Sequence, residues 1–115
     1  MEIMTERVQG VTIAELPYDE LDASNASDFK RDAASLVGSE TRLVFDLTRL
    51  RFVDSSGLGA FLSCLRKVNA RGGELKLCGL SKSVRAVFEL VRMHRIFDIQ
   101  PTREAAVRAF APVAA

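Results

Sequence analysis

Apolar and polar positions along the chain follow two rhythms, one of period two and one near 3.6. Residues 2–8 and 11–16 read as short strands, with Gln9-Gly10 between them as a hairpin turn. In the second run Val11 and Ile13 alternate with Thr12 and Ala14, the pattern of a sheet with one face buried, and Pro17 ends it. Residues 18–22 read as a loop. Ser24 or Asn25 can then cap a first helix that carries Ala26, Phe29, Ala33, Leu36 and Val37 on one side and stops at Gly38-Ser39. Residues 43–47, Leu-Val-Phe-Asp-Leu, form a buried strand.

The stretch from Arg49 to Ala60 is where the pattern changes. A hydrophobic run stops at Asp54-Ser55-Ser56, and Leu58, Phe61, Leu62 and Leu65 then fall at i, i+3, i+4 and i+7, one face of a helix. The spacing predicts that helix over about 57–70, with either serine able to cap it and Ser56 the better placed. Val53 and Leu58 anchor the junction in the core, while Asp54 and Gly57 shape the turn. Arg66, Lys67 and Arg71 lie toward the helix C-terminus, where cations complement the dipole, and Gly72-Gly73 ends it. Residues 74–78 alternate as a strand. Ser81 or Ser83 introduces a helix with Val84, Val87, Phe88 and Val91 inward and Lys82 and Arg85 outward. Residues 96–99 form a last strand, and Thr102 caps a closing helix in which Ala105, Ala106, Ala109 and Phe110 pack. The tail at 112–115 is expected to fray.

Strands alternating with helices imply parallel neighbours joined by right-handed crossovers. The expected fold is therefore α/β, with a mixed, mostly parallel sheet, an N-terminal antiparallel hairpin and about four helices. The 115 residues suffice for one domain, with its core over about 2–111.

Composition narrows the function classes. With 16 Lys and Arg against 15 Asp and Glu the net charge is +1, and no basic stripe marks nucleic acid as a direct partner. No apolar run is long enough to insert across a membrane, and the start, Met1-Glu2-Ile3-Met4-Thr5-Glu6, lacks the basic and apolar regions of a signal peptide. A cytoplasmic location is the expectation. Cys64 and Cys78, with His94 the only histidine, do not make a four-ligand metal set, so no metal or other cofactor is expected and the cysteines read as small hydrophobes.

Four chemistries can be set against the Asp54 loop. A phosphate-cradling nucleotide loop needs a lysine that Gly57-Leu58-Gly59 does not supply. A serine nucleophile needs a base, and His94 belongs to another element. An aspartyl phosphate on Asp54 needs acidic partners for Mg²⁺ that cannot be assembled. Modification of a serine by another protein's kinase needs only exposure at a helix start. These readings leave no expected enzyme activity, and plain helix capping remains sufficient for Asp54, Ser55 and Ser56.

Phe52-Val53-Asp54-Ser55-Ser56-Gly57-Leu58-Gly59 resembles the signature of the STAS domain family, and in particular its stand-alone anti-sigma factor antagonists. The likeness covers nearly the whole chain. Glu20-Leu21-Asp22-Ala23-Ser24-Asn25-Ala26 is similar to the family's Leu-Asp motif, and Leu43-Val44-Phe45-Asp46-Leu47 to its central strand; Gly72-Gly73-Glu74-Leu75 and Ser83-Val84-Arg85-Ala86-Val87-Phe88 follow in order. The resemblance implies that Ser55 is phosphorylated by a partner serine kinase that doubles as an anti-sigma factor, and that a separate serine phosphatase resets it. It implies a partner surface of Asp22, Asn25, Asp54, Ser55, Ser56, Gly57 and Leu58. Other readings are a STAS scaffold subunit of a transporter or other complex, and a small-ligand or nucleotide-sensing module at the same loop.

Overall fold

A computed structural model describes residues 2–111; the tail expected to fray lies outside them. Strands β1 (Met4–Val8) and β2 (Val11–Glu15) form the hairpin, with register Met4↔Glu15 to Val8↔Val11. Gln9 and Gly10 both adopt positive φ, 51° and 80°, the two-residue geometry whose twist matches the flanking strands. Then come β3 (Glu20–Leu21), α1 (Ala26–Ser39), β4 (Arg42–Asp46), β5 (Phe52–Val53), α2 (Ser55–Ala70) and β6 (Glu74–Cys78). The chain continues through α3 (Lys82–Leu90), a 3-10 turn at Met93–Arg95, β7 (Asp98–Gln100) and α4 (Arg103–Arg108). The main sheet has the order β1-β2-β4-β6-β7, antiparallel only at β1-β2, and β3 and β5 form a separate parallel pair.

The sheet is covered on both faces, unequally. Leu43 and Phe45 of β4 and Leu75 and Leu77 of β6 turn toward the larger core with α1, α2 and α3. A chain of rings runs through that core: Tyr18 on Phe29, Phe29 on Phe61 at 5.5 Å between centroids, Phe61 on Phe88 at 6.0 Å, and Phe88 on Phe97 at 5.9 Å. Such edge and tilted contacts add to the area that each ring buries. Val11, Ile13, Val44 and Cys78 turn to the other face, where Ala106, Val107 and Phe110 of the short α4 and its extension cover them.

Several sequence expectations are corrected here. Val11, Thr12, Ile13 and Ala14 are all buried, because Ala14, on the face expected to meet water, packs in the larger core while α4 covers the Val11 and Ile13 face. Lys76 is 6% exposed for the same reason: its ammonium pairs with Asp98 at 2.7 Å and lies 4.7 Å from the Phe110 ring centre. Helix α1 ends at Ser39 as expected, with Gly38 in its last turn, whereas α2 starts two residues earlier than its apolar spacing indicates. Gly72 and Gly73 end α2 as expected, their amides bonding to Asn69 and Val68. Arg71 also reaches across to donate to the Val37 carbonyl at 3.1 Å and the Glu40 carbonyl at 2.7 Å, so one cation closes the end of α1. Val91 lies beyond α3 and is exposed, as is Ile96, which caps the 3-10 turn because the last strand begins only at Asp98. Ala109 is exposed and Val107 buried in its place. Cys64 and Cys78 are free and buried on opposite faces, and burial pushes their thiols up to about 11 and about 12.

Candidate partner-docking site at the start of α2

Residues 18–22, expected as a loop, contain β3, which pairs in parallel with β5 through Glu20↔Phe52 and Leu21↔Val53. This two-residue ladder brings the Asp22–Asn25 turn against the start of α2. The Asp54 amide donates to the Leu21 carbonyl at 3.2 Å, and the Arg51 amide donates to the Asp19 carbonyl at 2.7 Å.

Asp54 itself is the N-cap of α2. One carboxylate oxygen accepts from the Gly57 amide at 3.0 Å, and the other accepts from the Ala23 amide at 3.2 Å. One side chain thus satisfies an orphan amide of the helix and ties down the neighbouring turn. Neither serine caps: Ser55 and Ser56 are the first two helical residues, and neither hydroxyl has a hydrogen-bond partner among the described residues. Ser55 is exposed and Ser56 half-buried.

Gly57 is buried where β3 crosses the helix. A Cβ there would collide with the Leu21 carbonyl oxygen and come within 2.7 Å of Val53 Cγ2, so the close approach requires glycine. Leu58 is 5% exposed and Val53 2%, which fixes the junction in the core. Gly57 and Leu58 consequently seat the loop and present little surface of their own to a partner.

Asp22 and Asn25 belong to the same surface, in roles that the sequence did not distinguish. Asn25 occupies the N-cap position of α1, yet its side chain makes no capping bond. It accepts from the Asp22 amide at 2.9 Å and donates to the Glu20 carbonyl at 2.8 Å, clasping β3. Asp22 accepts from the Ser24 amide at 2.9 Å and from the Ser24 hydroxyl; these bonds, the hydroxyl's first, hold its carboxyl below the usual range. Sequence reasoning did not single out Phe52 beyond the motif, although it is 52% exposed beside Asp54, or Arg49, which pairs with Asp19 at 2.9 Å. The local signal for Phe52 was its alternation with Val53, whose side chain is buried, which turns the ring outward.

The sequence profile of the STAS domain matches residues 2–106, which includes every strand and helix of this site. The chain belongs to the STAS domain family. The Bordetella bronchiseptica protein BtrV, assigned as an anti-sigma factor antagonist, is 35% identical over 111 residues, covering 96% of this chain and 95% of that protein. The anti-sigma F factor antagonist of Paenibacillus polymyxa is 34% identical over 112 residues, covering 95% and 92%. The Bacillus anti-sigma factor antagonist SpoIIAA, solved in unphosphorylated and phosphorylated forms, shares the fold with a TM-score of 0.66 at 24% identity, covering 94% of this chain and 99% of that one. The order of elements, the antiparallel β1-β2 and the otherwise parallel sheet make this a single STAS domain, with four α-helices among the described residues. Among the described residues no helix is long and apolar enough to cross a membrane.

Proposed function

We propose that this STAS domain is an anti-sigma factor antagonist of a partner-switching system, and that the surface built on Asp22, Asn25, Asp54, Ser55 and Ser56 docks an anti-sigma factor with serine kinase activity. In this reading the unphosphorylated domain captures that partner and frees a sigma factor or equivalent target. Phosphorylation of Ser55 ends the capture, and a serine phosphatase restores it. The observation that carries the reading is the state of Ser55: an exposed, unbonded hydroxyl on the first turn of α2, beside a turn that Asp54 holds in place. The names of the two curated relatives support the same class of function.

The physics favours a switch acting on binding and not on folding. A phosphoserine adds about 1.5 to 2 negative charges at neutral pH. The amides at the start of α2 attract an anion by roughly 0.3 to 1 kcal/mol, which offsets part of the repulsion from Asp54. In a complex the balance changes, because a phosphate buried without a matching cation costs several kcal/mol, and about 1.4 kcal/mol is tenfold in affinity.

Incubation with an anti-sigma serine kinase from the same genome and ATP, followed by mapping of the phosphate, tests the assignment. Wild type is expected to be modified at Ser55 and Ser55→Ala to remain unmodified; equal modification of the two overturns it. Ser55→Asp is expected to weaken kinase binding by roughly tenfold or more, and unchanged affinity removes the charge argument.

A further inference from the structure

Among the described residues five large apolar side chains stand exposed: Met4, Phe52, Leu90, Val91 and Ile96. Three of the five fall within seven residues, where α3 turns toward β7. Leu90 is 83% exposed, Val91 50% and Ile96 53%. The fold does not need them there, since Val84 and Phe88 complete the buried side of α3 and Met93 and Phe97 anchor the turn from behind. Single exposed aliphatics are ordinary; a cluster marks an interaction surface. The turn is also strained, with Arg92 in the left-handed region at φ 62°, a conformation that costs a residue with a Cβ.

Charge identifies what the cluster meets. No acid lies between Glu89 and Asp98 in the sequence, whereas Arg92 and Arg95 are exposed and His94 is half-buried. The flanking acids are engaged elsewhere, Glu89 by Arg85 at 3.5 Å and Asp98 by Lys76 at 2.7 Å. We propose that this tip docks the domain on an anionic lipid surface, with Leu90, Val91 and Ile96 entering the headgroup boundary and Arg92 and Arg95 meeting lipid phosphates. A second copy of the chain is a poorer occupant, because a two-fold contact would set the guanidinium groups against their own images. A protein partner needs about 800 Å² from each side for a stable complex, far more than one short turn offers, whereas interfacial adsorption needs only a few apolar side chains beside cations.

The tip is separate from the Ser55 surface. The long contact of the Ser83 hydroxyl with the Arg51 carbonyl, 3.5 Å, marks the end of α3 nearest that loop. Leu90 lies seven residues further on, about 10 Å along the helix axis. A domain resting on lipid through this tip therefore leaves Ser55 accessible.

Sedimentation of the full chain with vesicles tests the proposal. Vesicles of equal parts phosphatidylglycerol and phosphatidylcholine are expected to bind it at least roughly tenfold better than phosphatidylcholine alone, with the preference reduced by salt. The triple variant Leu90→Ser, Val91→Ser, Ile96→Ser is expected to lose that binding, and so is the independent variant Arg95→Glu; circular dichroism melts check that each is folded, and Leu90→Ser alone replaces the triple variant if it is not. Absence of wild-type binding to the anionic vesicles overturns the proposal and leaves the tip to an acidic protein surface. Wild-type-like binding by either folded variant overturns it as well.

Discussion

Asp46 closes β4 and Asp54 directly follows β5; each is followed within two residues by a hydroxyl side chain, and each carboxylate accepts a backbone amide two or three residues further on. Their surroundings differ in kind. Asp46, with 7% of its side chain exposed, accepts from the Thr48 amide and hydroxyl and from Arg103, whose guanidinium also reaches Glu6 at 2.8 Å and Glu15 at 3.1 Å. Gly79, at φ 74°, passes so close that a Cβ would strike the Thr48 hydroxyl, which closes the cluster from the β6 side. Asp54 has no counter-ion among its bonds, which go to two backbone amides, and the hydroxyl beside it is exposed and unbonded. A strand-terminal aspartate can therefore be a sealed clamp or the frame of an open surface. What separates the two is whether a cation is folded over it.

The largest expected effect breaks the clamp. Arg103→Met leaves Asp46 buried without its cation, and by the usual cost of breaking such pairs it should lower stability by about 3 kcal/mol, measured by urea unfolding. The pH dependence identifies the cause. Burial opposes ionisation of Asp46, but hydrogen bonds from Thr48 and Arg103 outweigh it and hold the carboxyl below its usual value. A carboxyl depressed in the folded state contributes stability that is complete above its unfolded pKa and is lost as pH falls through the folded one. The gap between wild type and Arg103→Met should thus be full at neutral pH and shrink below about pH 4. A gap independent of pH would mean that Arg103 acts by packing alone.

Next in size is the frame of the open site. Gly57→Ala places a methyl against the Leu21 carbonyl and Val53, and overpacking of this kind should cost about 2 kcal/mol. Hydrogen exchange should locate the loss at the β3-β5 pairing, with the amides of Asp54 and Ala23 exchanging faster while the main sheet keeps its protection. Uniform loss across the sheet would show that the two regions are one cooperative unit.

These contrasts explain how far the sequence could be read. The faces of α1 and α2 were legible because Phe29, Ala33, Phe61 and Leu65 repeat at helical spacing, a local property. The hairpin was legible from Gln9-Gly10 for the same reason. β3 was not, since two residues become a strand only by pairing with Phe52 and Val53, about thirty positions away. The Asp46–Arg103 clamp joins residues 57 positions apart, and nothing local distinguishes Arg103 from a solvated arginine at a helix start. Lys76 fell into a polar-apolar alternation that usually means a wet face, and α4 made that face dry. At the candidate site Asp54, Ser55 and Ser56 are three consecutive residues of capping type, so local preference could not choose among them. The choice falls to Asp54 because its other oxygen is taken by Ala23, a bond that exists only once β3 is in place.

That last point gives the smallest and sharpest test of the comparison. Asp54→Ala removes the α2 cap and the tie to Ala23 together, and by the ordinary value of a cap it should cost about 1 kcal/mol. Ser55→Asp adds a charge one residue later, where the helix start attracts it and Asp54 repels it; the two nearly cancel, so stability should change by less than about 0.5 kcal/mol. The pair separates frame from signal: unfolding should register the first variant and overlook the second, while binding of the proposed kinase partner should register both. A Ser55→Asp domain that melts as far below wild type as Asp54→Ala would show that the hydroxyl position is part of the frame. Phosphorylation there would then act by loosening the Asp22–Asn25 turn, and not by placing charge on an intact surface.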